Sequence, residues 1–273
     1  MYAPLPYVPG VRRRGATLAG PAAGAFLWAF GLFLLAACSD TTQRRPLVVF
    51  AASSLAEAFE DLEHSFERAH PRVDLRLVFA GSQVLRLQIE HGAAAHLFAS
   101  ADESHIDALQ SARLLTRSEV FAQNELVVIT PTGDETVQGL DSLDRSERLV
   151  VGTDGSPIGA YTRQLFTKAA QRLGSEHVAR IRARIVSEES NARLVRAKVE
   201  LGEADAAIVY RTDALASSRV RSVTVPRAVN VRATYRIGVL RGAPPAATEF
   251  VRHLRSGEGR TTLERHGFLV EEP

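Results

Sequence analysis

Four short stretches of the sequence place hydrogen-bond donors where a predicted strand is followed by a predicted helix. They are Ser54, Ser82, the turn at 157–159 and residues 191–192, and none has Asp or Glu at its very tip. A helix N-terminus attracts anions, because its first N–H groups are unpaired and carry a partial positive charge. A site built of donors alone selects a fully deprotonated anion, since a protonated oxyanion would need an acceptor for its hydrogen. These residues therefore predict an oxyanion-binding site.

Ser54 also has the sequence context of a helix cap. The stretch VVFAASSLAEAFEDLEHSFERA (48–69) begins as an apolar run and continues from the two serines in helical periodicity. Ser54 followed three residues later by Glu57 matches a capping box, in which each side chain accepts a backbone N–H at the helix start. We expect Ser54 to cap its helix and also to offer its hydroxyl and N–H to the anion.

The elements that must position these residues follow an α/β pattern. Short apolar strands alternate with amphipathic helices from Leu47 onward, which is typical of parallel sheets with helices on their faces. In such sheets, ligands bind outside the carboxyl ends of the strands. The predicted strands are at 47–50, 73–79, 96–100, 124–131, 149–152, 183–188, 204–210, 220–225 and 233–240. The predicted helices begin at Ser54, Ser82 and near Glu103, and continue at 158–173, 190–201, 245–255 and 258–266.

Composition limits the possible classes of function. The chain has 273 residues, of which 45% are hydrophobic and 23% charged, enough for one large domain or two smaller packed lobes. Its 33 basic and 31 acidic residues nearly balance. Nucleic-acid binding depends on clustered neutralisation of phosphates, so no nucleic-acid partner is expected. Any bound anion must be held by local dipoles.

The N-terminus predicts an exported protein. Three arginines at 12–14 precede a long apolar stretch that ends in small residues, the pattern of a secretory signal peptide over 1–37. An uncleaved membrane anchor is the alternative interpretation. Leu35, Ala36, Ala37 and Cys38, the only cysteine, resemble the lipobox of bacterial lipoproteins. Lipidation of Cys38, a tether over 38–46 and a periplasmic or cell-envelope location follow from that resemblance.

Enzymatic alternatives lack their motifs. Neither AGSQV nor DGSPI supplies the G-x-S-x-G turn of a serine hydrolase. No G-x-G-x-x-G follows a predicted strand, so a dinucleotide-binding dehydrogenase is not supported. The sequence predicts a binding protein and no enzyme.

Several longer stretches together resemble the periplasmic molybdate-binding proteins of ABC importers. The resemblance runs from Leu47 to the chain end and implies a two-lobed type II periplasmic binding protein, in which each lobe is a mostly parallel sheet flanked by helices. It also implies that the lobes close on molybdate or tungstate and deliver it to an ABC permease in the inner membrane. The matching stretches are FAASSLAEAF (50–59), FAGSQVLRLQIEHGAAAHLFASAD (79–102), NELVVITP (124–131), VGTDGSPIGAYTRQ (151–164), AAIVYRTDA (206–214) and RHGFLV (265–270).

The resemblance also implies which residues hold the ion. The hydroxyls of Ser54, Ser82 and Tyr210 and the backbone N–H groups of Ile158 and Ala192 match the family's contacts, with Ser53 as the alternative to its neighbour. These donors would bind the molybdate oxygens, with no direct metal coordination and no other cofactor. Sulfate, phosphate or a small organic acid is the alternative cargo within the same fold.

The implied lobes divide the chain unevenly. Lobe I comprises 47–130 and 229–273, lobe II comprises 131–228, and the protein is expected to be a monomer. The ion would bridge both lobes and would be the only contact that favours their closure.

Some positions depart from the family pattern. Gly81 and Gln83 stand where relatives often have a richer serine run, which could alter that loop. His96 replaces an acidic residue and, if protonated, could add a favourable field near the ion, as could Arg193 and Arg211. We expect ordinary structural or surface roles for all three.

Overall fold

The computed structural model describes residues 44–270 of the chain. The predicted signal peptide (1–37), Cys38 and most of the predicted tether (38–46) lie outside these residues. The first strand begins at Arg45, so the last two positions of the predicted tether belong to the folded body. Within 44–270, no helix combines the length and the apolar character needed to cross a membrane.

Strands and helices alternate through most of the described residues. The strands are β1 (Arg45–Ala52), β2 (Val73–Ala80), β3 (Leu97–Ser100), β4 (Leu115–Pro131), β5 (Leu149–Gly152), β6 (Ile185–Glu189), β7 (Ala206–Tyr210), β8 (Val220–Thr224) and β9 (Arg232–Leu240). The α-helices are α1 (Ala56–Ala69), α2 (Ser82–Glu90), α3 (Glu103–Ser111), α4 (Pro157–Leu173), α5 (Ser175–Arg182), α6 (Ala192–Glu200), α7 (Arg211–Leu215), α8 (Pro245–Leu254) and α9 (Gly257–Arg265). Short 3₁₀ helices occur at Ser53–Leu55 and Leu140–Arg145.

The strands pair in the order β2-β1-β3-β9-β4-β7-β5-β6, with β8 paired to β4. Strands β1, β2 and β3 are mutually parallel, as are β5, β6 and β7, and the antiparallel pairs all involve β4 or β9. Among β1, β2, β3, β4 and β9, only β9 runs opposite to the others. Among β4, β5, β6, β7 and β8, only β4 runs opposite to the others. This arrangement confirms the predicted α/β class with mostly parallel sheets.

The long strand β4 belongs to both sides. Leu115 to Glu125 pair with β9, and Leu126 to Pro131 pair with β7 and β8. We call the side with β1, β2, β3 and β9 the first lobe, and the side with β5, β6, β7 and β8 the second lobe. The chain returns to the first lobe between β8 and β9, where the Asn230 side chain bonds both the N–H (3.2 Å) and the C=O (3.0 Å) of Leu126. The two connections between the lobes are therefore tied to each other.

The core explains why the central strands are apolar on both faces. Successive residues of β1 point to opposite faces of the sheet. Val49 and Ala51 belong to the largest apolar cluster, and Phe50 belongs to a smaller cluster on the other face. In β7, Ile208 joins the largest cluster and Val209 joins the third. Strands buried on both faces need continuous apolar sequence, because helices cover both sides of the sheet. Burial of each large apolar side chain stabilises the fold by about 1.5–3 kcal/mol.

The first helix differs from its prediction. Ser53, Ser54 and Leu55 form a 3₁₀ turn, and α1 begins only at Ala56 without a side-chain cap. The Glu57 carboxylate pairs with arginines of α6 instead of reaching back to the chain start. The predicted capping box at Ser54 is therefore wrong, and its hydroxyl is available for other bonds. The sequence patterns also missed the short helices α5 and α7.

Candidate functional site

All five predicted contact residues line one small cavity. The cavity lies where β1, β2, β3 and β7 end and where α2, α4 and α6 begin, as expected for the carboxyl ends of parallel strands. Its lining residues are Ala52, Ser53, Ser54, Ala80, Gly81, Ser82, Ala101, Pro157, Ile158, Asn191, Ala192 and Tyr210. Both lobes therefore contribute to it.

The size and polarity of the cavity favour a small anion. The empty space between its lining atoms is only about 200 Å³, including the part open to solvent. None of its lining residues has a charged side chain. The same residues supply hydroxyl groups and the N–H groups of helix starts. Neutral donors of this kind can hold an oxyanion that carries no proton.

The start of α4 leaves one N–H group for a ligand. Pro157 has no N–H, and the buried Ser156 caps the helix by accepting the N–H of Gly159 at 3.2 Å. The N–H of Ala160 bonds to the Ser156 carbonyl at 2.9 Å. In the first turn, the N–H of Ile158 is thus the donor left over. No side chain fits at Gly159, since a Cβ there would lie 1.9 Å from the Thr153 oxygen.

The start of α6 is built in the same way. The Asn191 side chain accepts the N–H of Leu194 at 3.1 Å, and its carbonyl accepts the N–H of Val195 at 3.2 Å. The N–H groups of Ala192 and Arg193 are not used by this cap. Ala192 lines the cavity, so its N–H is the second backbone donor there.

Ser82 stands at the first position of α2 with its hydroxyl oxygen already engaged. The oxygen accepts the N–H of Ala101, which follows β3, at 3.1 Å. No other bond to this hydroxyl is found among residues 44–270, so its own hydrogen is free to be donated. Ser82 is 1% exposed and lines the cavity. Because the Ser82 oxygen accepts the N–H of Ala101, the hydroxyl hydrogen is left to be donated to an acceptor in the cavity.

The Tyr210 hydroxyl is a buried donor that no described residue satisfies. The Tyr210 side chain is 1% exposed, and its hydroxyl has no hydrogen-bond partner among the described residues. The rings of Tyr161 and Tyr235 pack edge-on against it, with centroids 6.4 Å and 5.9 Å away. Burial raises the pKa of Tyr210 well above its ordinary value, so the hydroxyl keeps its proton and remains a donor. Burying an unpaired hydroxyl costs about 1–3 kcal/mol, a cost that a ligand oxygen would offset.

A buried carboxyl lies close behind the site. Asp213, on α7, is 3% exposed, and one of its oxygens has no partner among the described residues. Burial raises the pKa of Asp213 to about 7, although Arg196 opposes the shift. Asp213 does not line the cavity. Its charge nevertheless acts on Tyr210, so its ionisation affects the field at the site.

The lobes also touch each other directly beside the cavity. Glu57 of α1 pairs with Arg193 at 3.3 Å and with Arg196 at 3.8 Å, both on α6. Gln83 of α2 donates from Nε2 to the carbonyl of Ser190 at 2.7 Å. The prediction that the ion would be the only contact favouring closure is therefore wrong.

Gly81 and Gln83, which depart from the family pattern, share this contact. A Cβ on Gly81 would lie 2.5 Å from the Ser190 oxygen that accepts the Gln83 amide. Gly81 thus permits the two lobes to approach closely, and the Gln83 side chain forms a hydrogen bond from one lobe to the other.

His96 and Arg193 make contacts with other parts of the fold and not with the cavity. His96 accepts the N–H of Val48 through Nδ1 at 2.9 Å, and burial lowers its pKa, so it is held neutral at the start of β3, away from the cavity. Arg193 pairs with Glu57, and Arg211 is the first residue of α7. His91 Nδ1 lies 2.7 Å from the Leu87 carbonyl. Within 44–270, no cluster of His, Cys, Asp or Glu could hold a metal ion.

Sequence patterns missed the residues behind the cavity. Tyr235 on β9 bonds Ser54 at 2.8 Å, and Asn124 on β4 lies 3.5 Å from the same tyrosine oxygen. Tyr161 of α4 packs on Tyr210. Each of these residues fits the ordinary pattern of its own strand or helix, so no local signal distinguishes it.

Comparison with known proteins settles the family. The model of the bacterial extracellular solute-binding protein family matches residues 47–269. The chain belongs to this family. Molybdate-binding protein ModA of Mycobacterium bovis is 35% identical over 234 residues, which are 84% of this chain and 86% of that protein. YvgL of Bacillus subtilis, named as a candidate ABC transporter substrate-binding lipoprotein, is 31% identical over 260 residues, 90% of this chain and 97% of that protein.

Solved structures of solute-binding proteins share the fold. The periplasmic molybdate-binding protein of Azotobacter vinelandii aligns with a TM-score of 0.72 at 18% identity, covering 83% of this chain and 100% of that chain. At this identity the likeness shows the fold alone. It agrees with the two-lobed architecture predicted from the sequence.

Proposed function

We propose that the protein captures molybdate, and also tungstate, in the cavity between its lobes and delivers it to an ABC importer. The observation that carries this proposal is the buried Tyr210 hydroxyl, which has no partner among residues 44–270 and lines a cavity of neutral donors. A tetrahedral dianion supplies the acceptors that such donors need. The relative that is 35% identical is named a molybdate-binding protein, which supports the choice of ion.

Each lobe contributes part of the proposed cage. The hydroxyls of Ser54 and Ser82 belong to the first lobe, and the N–H groups of Ile158 and Ala192 and the Tyr210 hydroxyl belong to the second. An ion held by both lobes stabilises their closed arrangement, because it binds that arrangement better than the open one. The direct contacts of α1 and α2 with the second lobe add to this stabilisation.

A cage spaced for molybdate would favour molybdate and tungstate over the alternative cargo. Sulfate is a smaller tetrahedron, so donors spaced for molybdate would form stretched bonds to it, at a cost of about 1–3 kcal/mol for each lost bond. Two such losses reduce affinity on the order of a hundredfold. Molybdate and tungstate are too similar in size for the cage to separate them.

The remaining parts of the proposal concern the location and organisation of the chain. We propose that Cys38 is lipidated and anchors the protein in the cell envelope, as the name of the YvgL relative suggests for that protein. The folded body acts as a monomer and meets a permease in the inner membrane. We propose the lobes as 47–130 with 229–273 and 131–228, although the sheet itself divides between Glu125 and Leu126. No enzymatic reaction, cofactor or nucleic-acid partner is part of the proposal.

Calorimetric titration tests the proposal. The full-length protein, purified in mild detergent, is titrated with molybdate, tungstate, sulfate and phosphate. We expect one site with similar affinity for the first two ions and at least a hundredfold weaker binding of sulfate and phosphate. Absence of heat with both heavy oxyanions would overturn the proposed function. Intrinsic tryptophan fluorescence is a poor readout, because the only tryptophan is Trp28 in the predicted signal peptide.

A further inference from the structure

Ser54 is bonded from behind by a tyrosine that does not line the cavity. The Ser54 Oγ and the Tyr235 Oη are 2.8 Å apart, although the two residues are separated by 181 positions. Tyr235 lies on β9 and is 0% exposed. The distance alone does not say which oxygen donates.

The orientation of Asn124 decides the direction of this bond. The Asn124 Oδ1 accepts the N–H of Glu125 at 3.0 Å, and its Nδ2 donates to the Thr212 Oγ1 at 2.9 Å. The same Nδ2 lies 3.5 Å from the Tyr235 oxygen, a long contact in which only the amide can donate. Flipping the amide would place Nδ2 against the Glu125 N–H, donor against donor.

Tyr235 is therefore the donor to Ser54. Among residues 44–270, the only contacts found for its hydroxyl are the Asn124 Nδ2, which is a donor, and the Ser54 Oγ. The Tyr235 hydrogen thus has Ser54 as its acceptor. Burial raises the pKa of Tyr235 well above its ordinary value, so the hydrogen is present throughout the physiological pH range.

The consequence falls on the serine hydroxyl. Because Ser54 accepts from Tyr235, which does not line the cavity, the Ser54 hydrogen is left for another acceptor, and Ser54 itself lines the cavity. Ser82 is arranged in the same way by the N–H of Ala101. Both hydroxyls of the first lobe are thus held as donors toward a bound oxyanion.

We propose that Tyr235 is a positioning and specificity residue for the oxyanion site. It holds the Ser54 hydroxyl as a donor, and Asn124 in turn holds the Tyr235 oxygen. This inference rests on the proposed function. It implies that Tyr235 favours an oxyanion without hydrogens over hydrogen phosphate, because a Ser54 hydroxyl held as a donor is not free to turn and accept from the phosphate O–H.

A double-mutant cycle tests this assignment. Molybdate affinity is measured by calorimetry for the full-length wild type, Ser54→Ala, Tyr235→Phe and the double variant. Tyr235→Phe keeps the ring that packs on Phe268 and Tyr210, so the variant should fold, as thermal unfolding will verify. We expect Tyr235→Phe to weaken molybdate binding about three- to tenfold in the presence of Ser54, and not at all in the Ser54→Ala background.

A second readout separates positioning from general structure. Tyr235→Phe should also reduce the preference for molybdate over phosphate at about pH 7, because the Ser54 hydroxyl can then turn and accept a hydrogen bond from the O–H of hydrogen phosphate. The control Tyr161→Phe removes a buried hydroxyl that accepts the N–H of Thr234 on the same strand and does not bond Ser54. We expect its effect to be equal in both Ser54 backgrounds.

The outcomes distinguish this inference from the proposed function. If wild-type protein gives no heat with molybdate, both fail. If Ser54→Ala weakens binding but Tyr235→Phe does not, or if the two effects simply add, the positioning role of Tyr235 is overturned while the proposed function stands.

Discussion

The two lobes supply the same kind of donor to the cavity by different means. The first lobe offers side-chain hydroxyls, those of Ser54 and Ser82, whereas the second offers backbone N–H groups at two helix starts together with the Tyr210 hydroxyl. Side-chain donors can be removed by single substitutions. A backbone N–H remains after any side-chain substitution that leaves the helix start intact. The position of such a donor is set by the residue that caps the helix and by glycines near it.

The lobes are alike in how they hold their donors. Ser82 is oriented by the N–H of Ala101, and the start of α4 is fixed by the Ser156 cap. In each case a bond directed away from the cavity leaves one hydrogen directed into it. The comparison therefore predicts that substituting Ser54, Ser82 or Tyr210 lowers molybdate affinity strongly. Substituting the residues that cap the second-lobe helices should lower it less.

The largest effect is expected from Ser54→Asp. A carboxylate at this position would face a dianion, and two unit charges about 4 Å apart repel by about 4 kcal/mol at an effective dielectric constant near 20. We expect molybdate binding to fall below detection in calorimetry. Ser54→Asn, which adds a neutral amide of similar size, is the matched control and should retain measurable affinity. A Ser54→Asp variant that binds within tenfold of wild type would remove Ser54 from the site.

Tyr210→Phe should weaken binding and stabilise the empty protein. Losing a buried donor to the ion costs about 1–3 kcal/mol, or about 5- to 150-fold in affinity. Without ligand, the same change removes a buried hydroxyl that has no partner among the described residues, so the free energy of unfolding should stay equal or rise. Calorimetry and denaturant unfolding measure the two effects. Unchanged affinity with lower stability would mean that the hydroxyl has a structural partner.

The second-lobe caps should have smaller effects. Asn191→Ala removes the acceptor of the Leu194 N–H, at a cost of about 0.5–2 kcal/mol to the start of α6, and should weaken molybdate binding a few-fold. Ile158→Val is the contrasting variant, because only the backbone of Ile158 is proposed to bind. It should lower stability by about 0.5–1.5 kcal/mol and leave affinity unchanged. A clear loss of affinity in Ile158→Val would contradict the backbone assignment.

The last prediction concerns the pH dependence of stability and not molybdate affinity. The pKa of Asp213 is about 7 in the folded protein against an ordinary value of 3.8, so the folded state binds this proton more tightly than the unfolded state does. The contribution of Asp213 to the free energy of unfolding should therefore decrease as pH rises from about 4 to about 7. Asp213→Asn should remove this decrease. Unfolding curves of both proteins across this pH range measure it, and parallel pH dependence would contradict the assignment.

Much of this arrangement could be predicted from the sequence. The alternation of strands and helices, the junctions at Ser82 and Asn191 and the strand end at Tyr210 are local patterns, and the structure brings them to one cavity. Parallel sheets explain this success, because the carboxyl ends of neighbouring strands necessarily meet at one edge.

The parts that could not be predicted depend on distant contacts. The 3₁₀ turn at Ser53–Leu55 replaced a well-formed capping-box pattern, because Glu57 pairs with arginines of α6. The bond between Ser54 and Tyr235 joins residues 181 positions apart, and nothing in either local sequence indicates it. Tertiary contacts of this kind override local preference, and they also determine which way a hydroxyl donates.

The central claim is that neutral donors alone hold a tetrahedral ion that carries no hydrogen. Its most direct test is the number of protons exchanged when molybdate binds to the Asp213→Asn variant, which lacks the titrating carboxyl behind the site, measured by calorimetry at about pH 8 in buffers of different ionisation enthalpy. We predict the same binding enthalpy in every buffer, because neither the ion nor the donors change protonation. Uptake or release of about one proton per bound ion would contradict the claim, since it would require an ionisable group to titrate at the site.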